Sequence, residues 1–265
     1  MIGGIEAITF DFGNTLVPVP AAGLRAVVDA TAGAMADRLG PFERDEVLRI
    51  WAEERERQFR EEVPQFREVD LAQRVVRILA RLRGMAAPPA DARWDDDAAG
   101  RLSTSEEASW VVDAYSRAFV DALPPSPVAG PLLARLARHH RLAILSNWPL
   151  AATIDRYAEA QGWTPHLAAI VVSQRVGTIK PHPAIFAAAR ERLGDPPPDP
   201  RSILHVGDDW AADVVGASRA GWRSAWLRSR PEDSPLPGSA RDGEAEPDLE
   251  LDRLADLEPA LRGTA

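Results

Sequence analysis

The stretch AITFDFGNTLV, residues 7–17, reads as a short apolar strand that runs into an acid and then into a turn. The apolar run ends at Asp11, and the small or polar residues Gly13, Asn14 and Thr15 are typical of turns. Asn14 is also a residue type that tolerates a positive φ. A strand that delivers a carboxylate into a tight loop can position a nucleophile. We therefore predict that Asp11 is a functional residue.

Two later apolar segments show the same pattern of a short strand that closes in polar residues. One leads into Ser146 and Asn147, and the other leads into Asp208. Helical patterns separate the strands, and such alternation is typical of a parallel sheet with helices on both faces. The predicted strands cover residues 5–10, 142–145, 203–206 and, more weakly, 168–172 and 224–227. The predicted helices between them cover residues 129–139, 149–161 and 183–193.

This alternation predicts an α/β fold with a Rossmann-like parallel sheet. Ligands of such sheets bind at the carboxyl ends of the strands, which lie along one edge. Asp11, Ser146 and Asp208 all follow predicted strands, so we expect them to meet at that edge although they are far apart in sequence.

The region after the first strand differs, because helical patterns follow one another there with no predicted strand. They cover residues 20–39, 43–62, 70–83 and 105–122, with a loop at 87–100. We predict an inserted all-helical cap domain at 18–125 and a core domain made of 1–17 and 126–265. Within the cap, the charged run at 52–62 is typical of an exposed helix face with i,i+4 ion pairs.

The C-terminal part continues the core after an irregular stretch. Residues 229–247 have the Pro, Gly and charge content of a mobile loop. In residues 248–263 apolar residues again recur at regular intervals, which predicts a short strand and a helix that pack on the core.

Composition excludes several classes of site and disfavours others. The 265 residues contain no Cys, which excludes disulfides, thiolate zinc sites and cysteine nucleophiles. A net charge of −9 disfavours nucleic-acid and anionic-membrane partners. The sequence shows no secretory signal and no apolar run of membrane-spanning length, so we expect a cytoplasmic protein. Its oligomeric state cannot be read from the sequence.

Lysine usage singles out one position. Lys180 is the only lysine among 31 basic residues. A lysine retained where arginine is otherwise used can mark a need for a compact ammonium group on a flexible stem. We therefore predict that Lys180 lies in the functional site.

Four segments in order resemble the motifs of the haloacid-dehalogenase-like (HAD) hydrolases. They are FDFGNTL at 10–16, AILSN at 143–147, VGTIKPHPAIF at 176–186 and ILHVGDDWAADVVGASRAG at 203–221. The helical insertion is similar in position to the C1 cap of that family. The resemblance implies a hydrolase with Asp11 as the nucleophile.

The resemblance also assigns the other site residues and a cofactor. It implies a Mg²⁺ ion held by Asp11, by the main-chain carbonyl of Gly13 and by Asp208, with Lys180 neutralising the nucleophile. The expected substrate is a small phosphate ester that forms an aspartyl-phosphate on Asp11. The phosphate would be bound by Thr15, Ser146 and Asn147. Asp209 and Asp213 are expected to support the metal site or to ligate the metal, although Asp209 could simply cap the following helix.

Gly13 departs from the pattern of the phosphatases in this family, which place a second Asp there as general acid and base. A positioned acid–base group is typically worth about 10²- to 10⁴-fold in rate. Three readings stay open: a phosphatase of reduced efficiency, a metal-independent haloacid dehalogenase, and a binding protein that has lost its activity. Phosphonate cleavage through a cap lysine is excluded, since the only lysine lies outside 18–125.

Overall fold

Six parallel strands form the sheet of the computed structural model, which describes residues 2–86, 105–243 and 245–262. All five neighbouring pairs are parallel, and the sheet order is β3-β2-β1-β4-β5-β6. This confirms the predicted parallel-sheet α/β fold. The strands are β1 (Ala7–Phe10), β2 (Arg141–Ser146), β3 (Ala169–Val172), β4 (Ile203–Gly207), β5 (Arg223–Leu227) and β6 (Leu249–Leu251).

Helices surround the sheet, and in the described part of the chain between β1 and β2 the α and β elements are all helices. Those between β1 and β2 are α1 (Ala21–Leu39), α2 (Arg44–Glu61), α3 (Leu71–Leu82), α4 (Ser105–Ala122) and α5 (Ala129–Leu136). The later ones are α6 (Ala151–Ala160), α7 (Ser173–Val176), α8 (Pro183–Arg192), the π-helical α9 (Trp210–Val215), α10 (Gly216–Arg219) and α11 (Leu257–Arg262).

The predicted elements correspond closely to these bounds, with two exceptions. The helix predicted at 129–139 ends at Leu136, and residues 137–140 form a turn instead. Three short helices, α7, α9 and α10, were not predicted because each is too short to show a full apolar period. The loop predicted at 87–100 lies outside the described residues.

β1 lies in the middle of the sheet, and its side chains enter two apolar clusters. Ile8 and Phe10 belong to the cluster that contains the buried faces of α5 and α6. Ala7 belongs to the opposite cluster, together with Ile185 and Phe186 of α8. Both faces of β1 are therefore covered, which fixes the position of the residue that follows it, Asp11.

Residues 18–125, called the helical insertion below, contain no strand in their described part. α1 packs against α4, and α2 packs against α3. Trp51 of α2 stacks on Tyr115 of α4 with 5.9 Å between ring centroids.

The sequence predicted that the charged run at 52–62 is an exposed helix face, but the structure shows that part of it is buried. Its i,i+4 pairs are present, for example Arg57 Nη1 to Glu61 Oε2 at 2.8 Å. Glu54, however, is only 3% exposed and binds Arg57, Arg77 and Arg81 at 2.9, 2.7 and 3.0 Å. Because Arg77 and Arg81 lie on α3, a helical pattern in α2 alone could not reveal that Glu54 is buried.

No helix in the described residues is both long and apolar enough to cross a membrane.

We expect the Glu54→Gln variant to lower the free energy of unfolding by about 1–3 kcal/mol, because Arg57, Arg77 and Arg81 each lose their ion pair with this buried carboxylate. The matched control is Glu53→Gln on the same helix, whose carboxylate is 45% exposed and which should lose less than about 1 kcal/mol. Urea unfolding of the two variants measures the difference, and equal losses would contradict a structural role for the Glu54 cluster.

Candidate active site

Three carboxylates meet at the carboxyl edge of the sheet. Asp11 follows β1, Asp208 follows β4, and Asp213 lies in α9. One carboxylate oxygen of each lies within 4.8 Å of the others. Asp208 and Asp213 are buried, and the Asp11 side chain is 13% exposed. The predicted convergence of Asp11 and Asp208 is therefore present in the structure.

Lys180 places a positive charge between two of these carboxylates. Its Nζ donates to Asp11 Oδ1 at 2.8 Å and to Asp213 Oδ1 at 2.6 Å, and also to the main-chain oxygen of Leu145 at 2.9 Å. The Lys180 side chain is 1% exposed. Burial alone would lower its pKa, but the two carboxylates outweigh burial and raise the pKa of Lys180. The ammonium therefore stays charged beside Asp11.

The side chain of Asn147 holds the backbone of Lys180 in place. Its Oδ1 accepts from Lys180 N at 2.7 Å, and its Nδ2 donates to the Lys180 carbonyl at 3.0 Å. Both polar atoms of this amide therefore have a partner within the protein, which favours the main chain of Asn147 for contact with a ligand.

Asp213 is saturated with donors. Its Oδ1 accepts from Lys180 and from His205 Nε2, the latter at 2.9 Å, and its Oδ2 accepts from the Asp209 N–H at 2.9 Å. Burial would raise the pKa of Asp213, but Lys180 and His205 hold it well below its usual range. These contacts favour a role in positioning Lys180 rather than in binding a metal.

His205 is a member of this network that the sequence analysis missed. It lies in β4 opposite Thr9 of β1, whose hydroxyl is 2.8 Å from Nδ1. Since the Asp213 carboxylate accepts from Nε2–H, Nδ1 accepts from the Thr9 hydroxyl. Burial lowers the pKa of His205, so the ring is neutral. The signal that could have found this pair is one polar residue in each of two neighbouring buried strands.

Asp208 has weaker contacts than the other two acids. Its Oδ1 accepts from Thr15 Oγ1 at 3.4 Å, and its Oδ2 lies 3.5 Å from Asn14 Nδ2 and 3.2 Å from Arg230 Nη1. Burial, with the nearby charges of Asp11 and Asp213, raises the pKa of Asp208 to about 8.

The donor set fits a divalent cation. If all three were ionised, Asp11, Asp208 and Asp213 would bring three negative charges against the two positive charges of Lys180 and Arg230. Burial and the charges of Asp11 and Asp213 raise the pKa of Asp208, and a bound cation would favour its ionised form. Hard carboxylate oxygens are the ligands that Mg²⁺ prefers. Asp11 and Asp208 are the pair whose oxygens are not saturated by other donors.

Two further predicted site residues lie beside these acids. Ser146, at the end of β2, has a buried Oγ without a hydrogen-bond partner in the described residues, which is unusual for a buried hydroxyl. Thr15 uses its hydroxyl on Asp208. Asn14 has φ 59°, as expected for a tight turn, and its Oδ1 accepts from Val19 N at 3.1 Å.

Asp209 caps α9, the alternative that the sequence analysis had kept open. Its Oδ1 accepts from Ala212 N at 2.8 Å, and Ser239 donates to both of its oxygens. These contacts favour a structural role over metal binding.

The segment between β5 and β6 reaches into the site, which its composition had not suggested. It is irregular, as predicted, but Arg230 binds Asp208 and Ser234 Oγ accepts from Asn14 Nδ2 at 3.0 Å. A Cβ added at Gly13 would lie 2.6 Å from Leu236 Cδ1 and 3.2 Å from the Trp148 ring. The terminal methyl group of Leu236 therefore lies where a side chain at position 13 would begin, and it would have to move to admit one. The signal available from sequence was that this loop begins at the carboxyl end of a strand.

A cavity of about 300 Å³ joins these acids to the helical insertion. Asp11, Lys180 and Asp208 line its floor on the sheet side. Residues of α2, α3 and α4 line the other side, among them Trp51, Phe59, Tyr115, Arg55 and Arg74. The arrangement is suited to bind a small anionic molecule against a charge-balanced nucleophile.

Comparison with known proteins gives a family match over most of the chain. The profile of the haloacid dehalogenase-like hydrolases matches residues 5–221. Over 123 residues, the sequence is 29% identical to pyrimidine 5'-nucleotidase YjjG of Escherichia coli (strain K12), covering 46% of this chain and 53% of that enzyme. Over 116 residues it is 34% identical to 5-amino-6-(5-phospho-D-ribitylamino)uracil phosphatase YigB of the same strain, covering 43% and 46%. The chain thus spans about half the length of these curated relatives.

Among solved structures, 2-haloacid dehalogenase from Pseudomonas syringae pv. Tomato DC3000 superimposes with a TM-score of 0.65. The match covers 96% of each chain at 23% sequence identity, so it shows a shared fold.

We expect the metal-free protein to lose stability as pH rises from about 4 to 8, because folded Asp208 keeps a proton that the unfolded chain releases. The contribution is up to about 1.4 kcal/mol per pH unit and disappears in Asp208→Asn. Urea unfolding with EDTA at pH 5 and pH 8 measures it, with the exposed Asp252→Asn as control. Equal pH dependence in wild type and Asp208→Asn would contradict this environment for Asp208.

Proposed function

The chain belongs to the haloacid dehalogenase-like hydrolase family, and we propose that it is a magnesium-dependent phosphatase of a small phosphorylated metabolite. The observation that carries the proposal is Asp11, held at 2.8 Å by the buried ammonium of Lys180 and adjacent to Asp208, an acid whose pKa is raised by burial and for want of enough positive charge around it. The two relatives named above are a nucleotidase and a phosphatase, which supports phosphate esters as the substrate class.

Asp11 is the proposed nucleophile. A carboxylate oxygen attacks phosphorus, the ester P–O bond breaks, and the leaving oxygen departs with its electron pair. Water then attacks the phosphorus of the aspartyl-phosphate, which releases phosphate and restores the Asp11 carboxylate. Lys180 neutralises Asp11 in the resting site and the transferring phosphoryl group in the transition state. The unpaired Ser146 hydroxyl and the Thr15 hydroxyl are the proposed side-chain donors to phosphate oxygens, with the main chain at Asn147.

Asp11, Asp208 and the main-chain carbonyl of Gly13 are the proposed ligands of Mg²⁺. When bound, the ion would offset the negative charge that otherwise opposes the approach of a phosphate dianion.

Because position 13 is Gly and not Asp, this site lacks the acid that would protonate the leaving oxygen. We propose that the enzyme therefore prefers leaving groups that depart without protonation. We also propose that residues 18–125 act as the cap domain over a core of 1–17 and 126–265, since cap and core residues share one cavity. The net charge of −9 and the cavity volume support a small molecule rather than nucleic acid or a membrane as partner.

The proposal is tested by comparing phosphate esters that differ in leaving group, with Mg²⁺ and with EDTA. We expect aryl and acyl phosphates to be hydrolysed at least about 10²-fold faster than alkyl phosphates, by a reaction that needs Mg²⁺. Asp11→Asn should lose about 10³-fold or more of this activity.

Halide release from 2-chloropropionate in EDTA would instead identify a haloacid dehalogenase, the alternative that also suits a missing acid. No turnover of either class would favour the binding-protein alternative.

A second prediction concerns the acid at position 13. Gly13→Asp alone should gain little activity, because the new side chain fits only if the terminal methyl group of Leu236 moves away from position 13. Gly13→Asp combined with Leu236→Ala should raise hydrolysis of alkyl phosphates by about 10²-fold or more. Leu236→Ala alone is the control, and steady-state kinetics on an alkyl phosphate measure all three variants. A full gain from the single Gly13→Asp substitution would contradict the steric explanation.

A further inference from the structure

The cavity wall formed by the helical insertion carries two arginines that the proposed chemistry does not use. Arg74 lies on α3 and Arg55 on α2, and both line the cavity that contains Asp11. The reacting phosphate does not need them, since Lys180 already stands beside the nucleophile.

Arg74 is a buried cation that has no carboxylate paired with it in the described part of the chain. It is 5% exposed, and its Nε donates to Gln58 Oε1 at 2.7 Å. Within residues 2–86, 105–243 and 245–262, no carboxylate oxygen lies within 4.0 Å of its guanidinium nitrogens. A buried charge of this kind is costly unless something pairs with it.

The helical insertion does pair other arginines whose side chains are largely buried. Arg57 and Arg77 are each 13% exposed, and both bind the carboxylate of Glu54. The unpaired state of Arg74 is therefore particular to the cavity rather than general to these helices.

Glu68 is the acid on the same cavity wall, and its contacts lie elsewhere. Its carboxylate accepts from Ser173 Oγ and from Val69 N. Burial raises the pKa of Glu68. The charge of Arg74 is consequently not cancelled by contact with this neighbour.

Arg55 adds a second guanidinium to the same wall. Its Nη2 donates to the Pro235 carbonyl at 2.9 Å, and its guanidinium lies 4.8 Å from the centroid of the Phe59 ring. It too has no carboxylate within 4.0 Å in the part of the chain that is described. Burial, together with the charge of Arg55, lowers the pKa of Arg74 to about 10, although the nearby charges of Glu68 and Asp70 oppose this shift. Arg74 therefore stays protonated at neutral pH. Two like charges that share a cavity are stabilised by an anion between them.

The rest of this wall is apolar and aromatic. Trp51 and Tyr115 stack with 15° between their planes, and Phe59, Leu24 and Val28 complete the surface. Such a wall suits the flat or apolar body of a small ligand.

Building on the proposed function, we propose that Arg74 and Arg55 bind a second anionic group, a carboxylate or a phosphate, on the leaving portion of the substrate. The substrate class is then a small phosphate ester that carries one further anion and an apolar body. Arg74 and Arg55 determine specificity, while Asp11 and Lys180 carry out the reaction.

The test compares isosteric aryl phosphates that differ in charge. Wild type should hydrolyse 4-carboxyphenyl phosphate with a kcat/KM at least about 10-fold above that of 4-carbamoylphenyl phosphate. The 3-substituted isomers test a shorter distance between the phosphate and the second group. 4-(Phosphonomethyl)phenyl phosphate presents a phosphonate in place of the carboxylate and shows which anion is preferred. Arg74→Met should abolish the preference through KM, whereas Arg74→Lys should retain part of it.

Arg60→Met is the matched control, because the Arg60 side chain is 71% exposed on the same helix as Arg55. Arg60→Met should leave kcat/KM unchanged for both the charged and the neutral ester. Arg55→Met serves as a second variant if Arg74→Met does not fold, as judged by its circular dichroism and thermal unfolding. Equal rates on the charged and neutral esters in wild type, or an equal loss on both in Arg74→Met and Arg55→Met, would overturn the proposal.

Calorimetry separates this inference from the proposed function. Metal-free wild type should bind 4-hydroxybenzoate at least about 10-fold more tightly than 4-hydroxybenzamide, and Arg74→Met should bind the two alike. This result would support the anion subsite even if no phosphate ester were hydrolysed. Equal binding of the two by wild type would overturn it even if hydrolysis were fast.

Discussion

The ammonium of Lys180 is the interaction on which the site depends. Three buried carboxylates at one sheet edge repel one another, and the ammonium satisfies two of them at 2.8 and 2.6 Å. The parallel sheet makes this possible, because β1 and β4 are neighbours whose carboxyl ends bring Asp11 and Asp208 together. Asn147 and Asp213 hold Lys180 from its backbone and its tip. The geometry of the nucleophile is thus set by an ion-pair network whose parts come from four segments of the chain.

The elements that could be predicted from sequence are those with a clear local period. The apolar runs that end in Asp11, Ser146 and Asp208 predicted the sheet and the edge where these residues meet. The single lysine predicted its own place in the site. Each of these inferences used a pattern contained within a few neighbouring residues, together with one rule about where parallel strands end.

The features that escaped prediction depend on contacts between distant segments. Glu54 is buried because α3 supplies two arginines, and nothing in α2 encodes that. His205 matters because Thr9 lies opposite it in register. Arg74 stands out only when it is compared with Arg57 and Arg77, which pair with Glu54, whereas no carboxylate among the described residues pairs with Arg74. Gly13 looks like a simple loss of an acid, yet the structure shows Leu236 in the space beside it. The periodicity of a single helix or strand does not show which side chains of other helices and strands it will contact.

The segment between β5 and β6 touches both halves of the molecule. Arg230 and Ser234 contact residues of the sheet edge, while the Pro235 carbonyl accepts from Arg55 on α2. If α2 swings outward, it either breaks this hydrogen bond or pulls the segment with it. In the second case the guanidinium of Arg230 moves away from Asp208 at the same time. As long as the Arg55–Pro235 hydrogen bond holds, the segment therefore connects the helical insertion to Asp208, and a displacement of α2 changes the electric field at that acid.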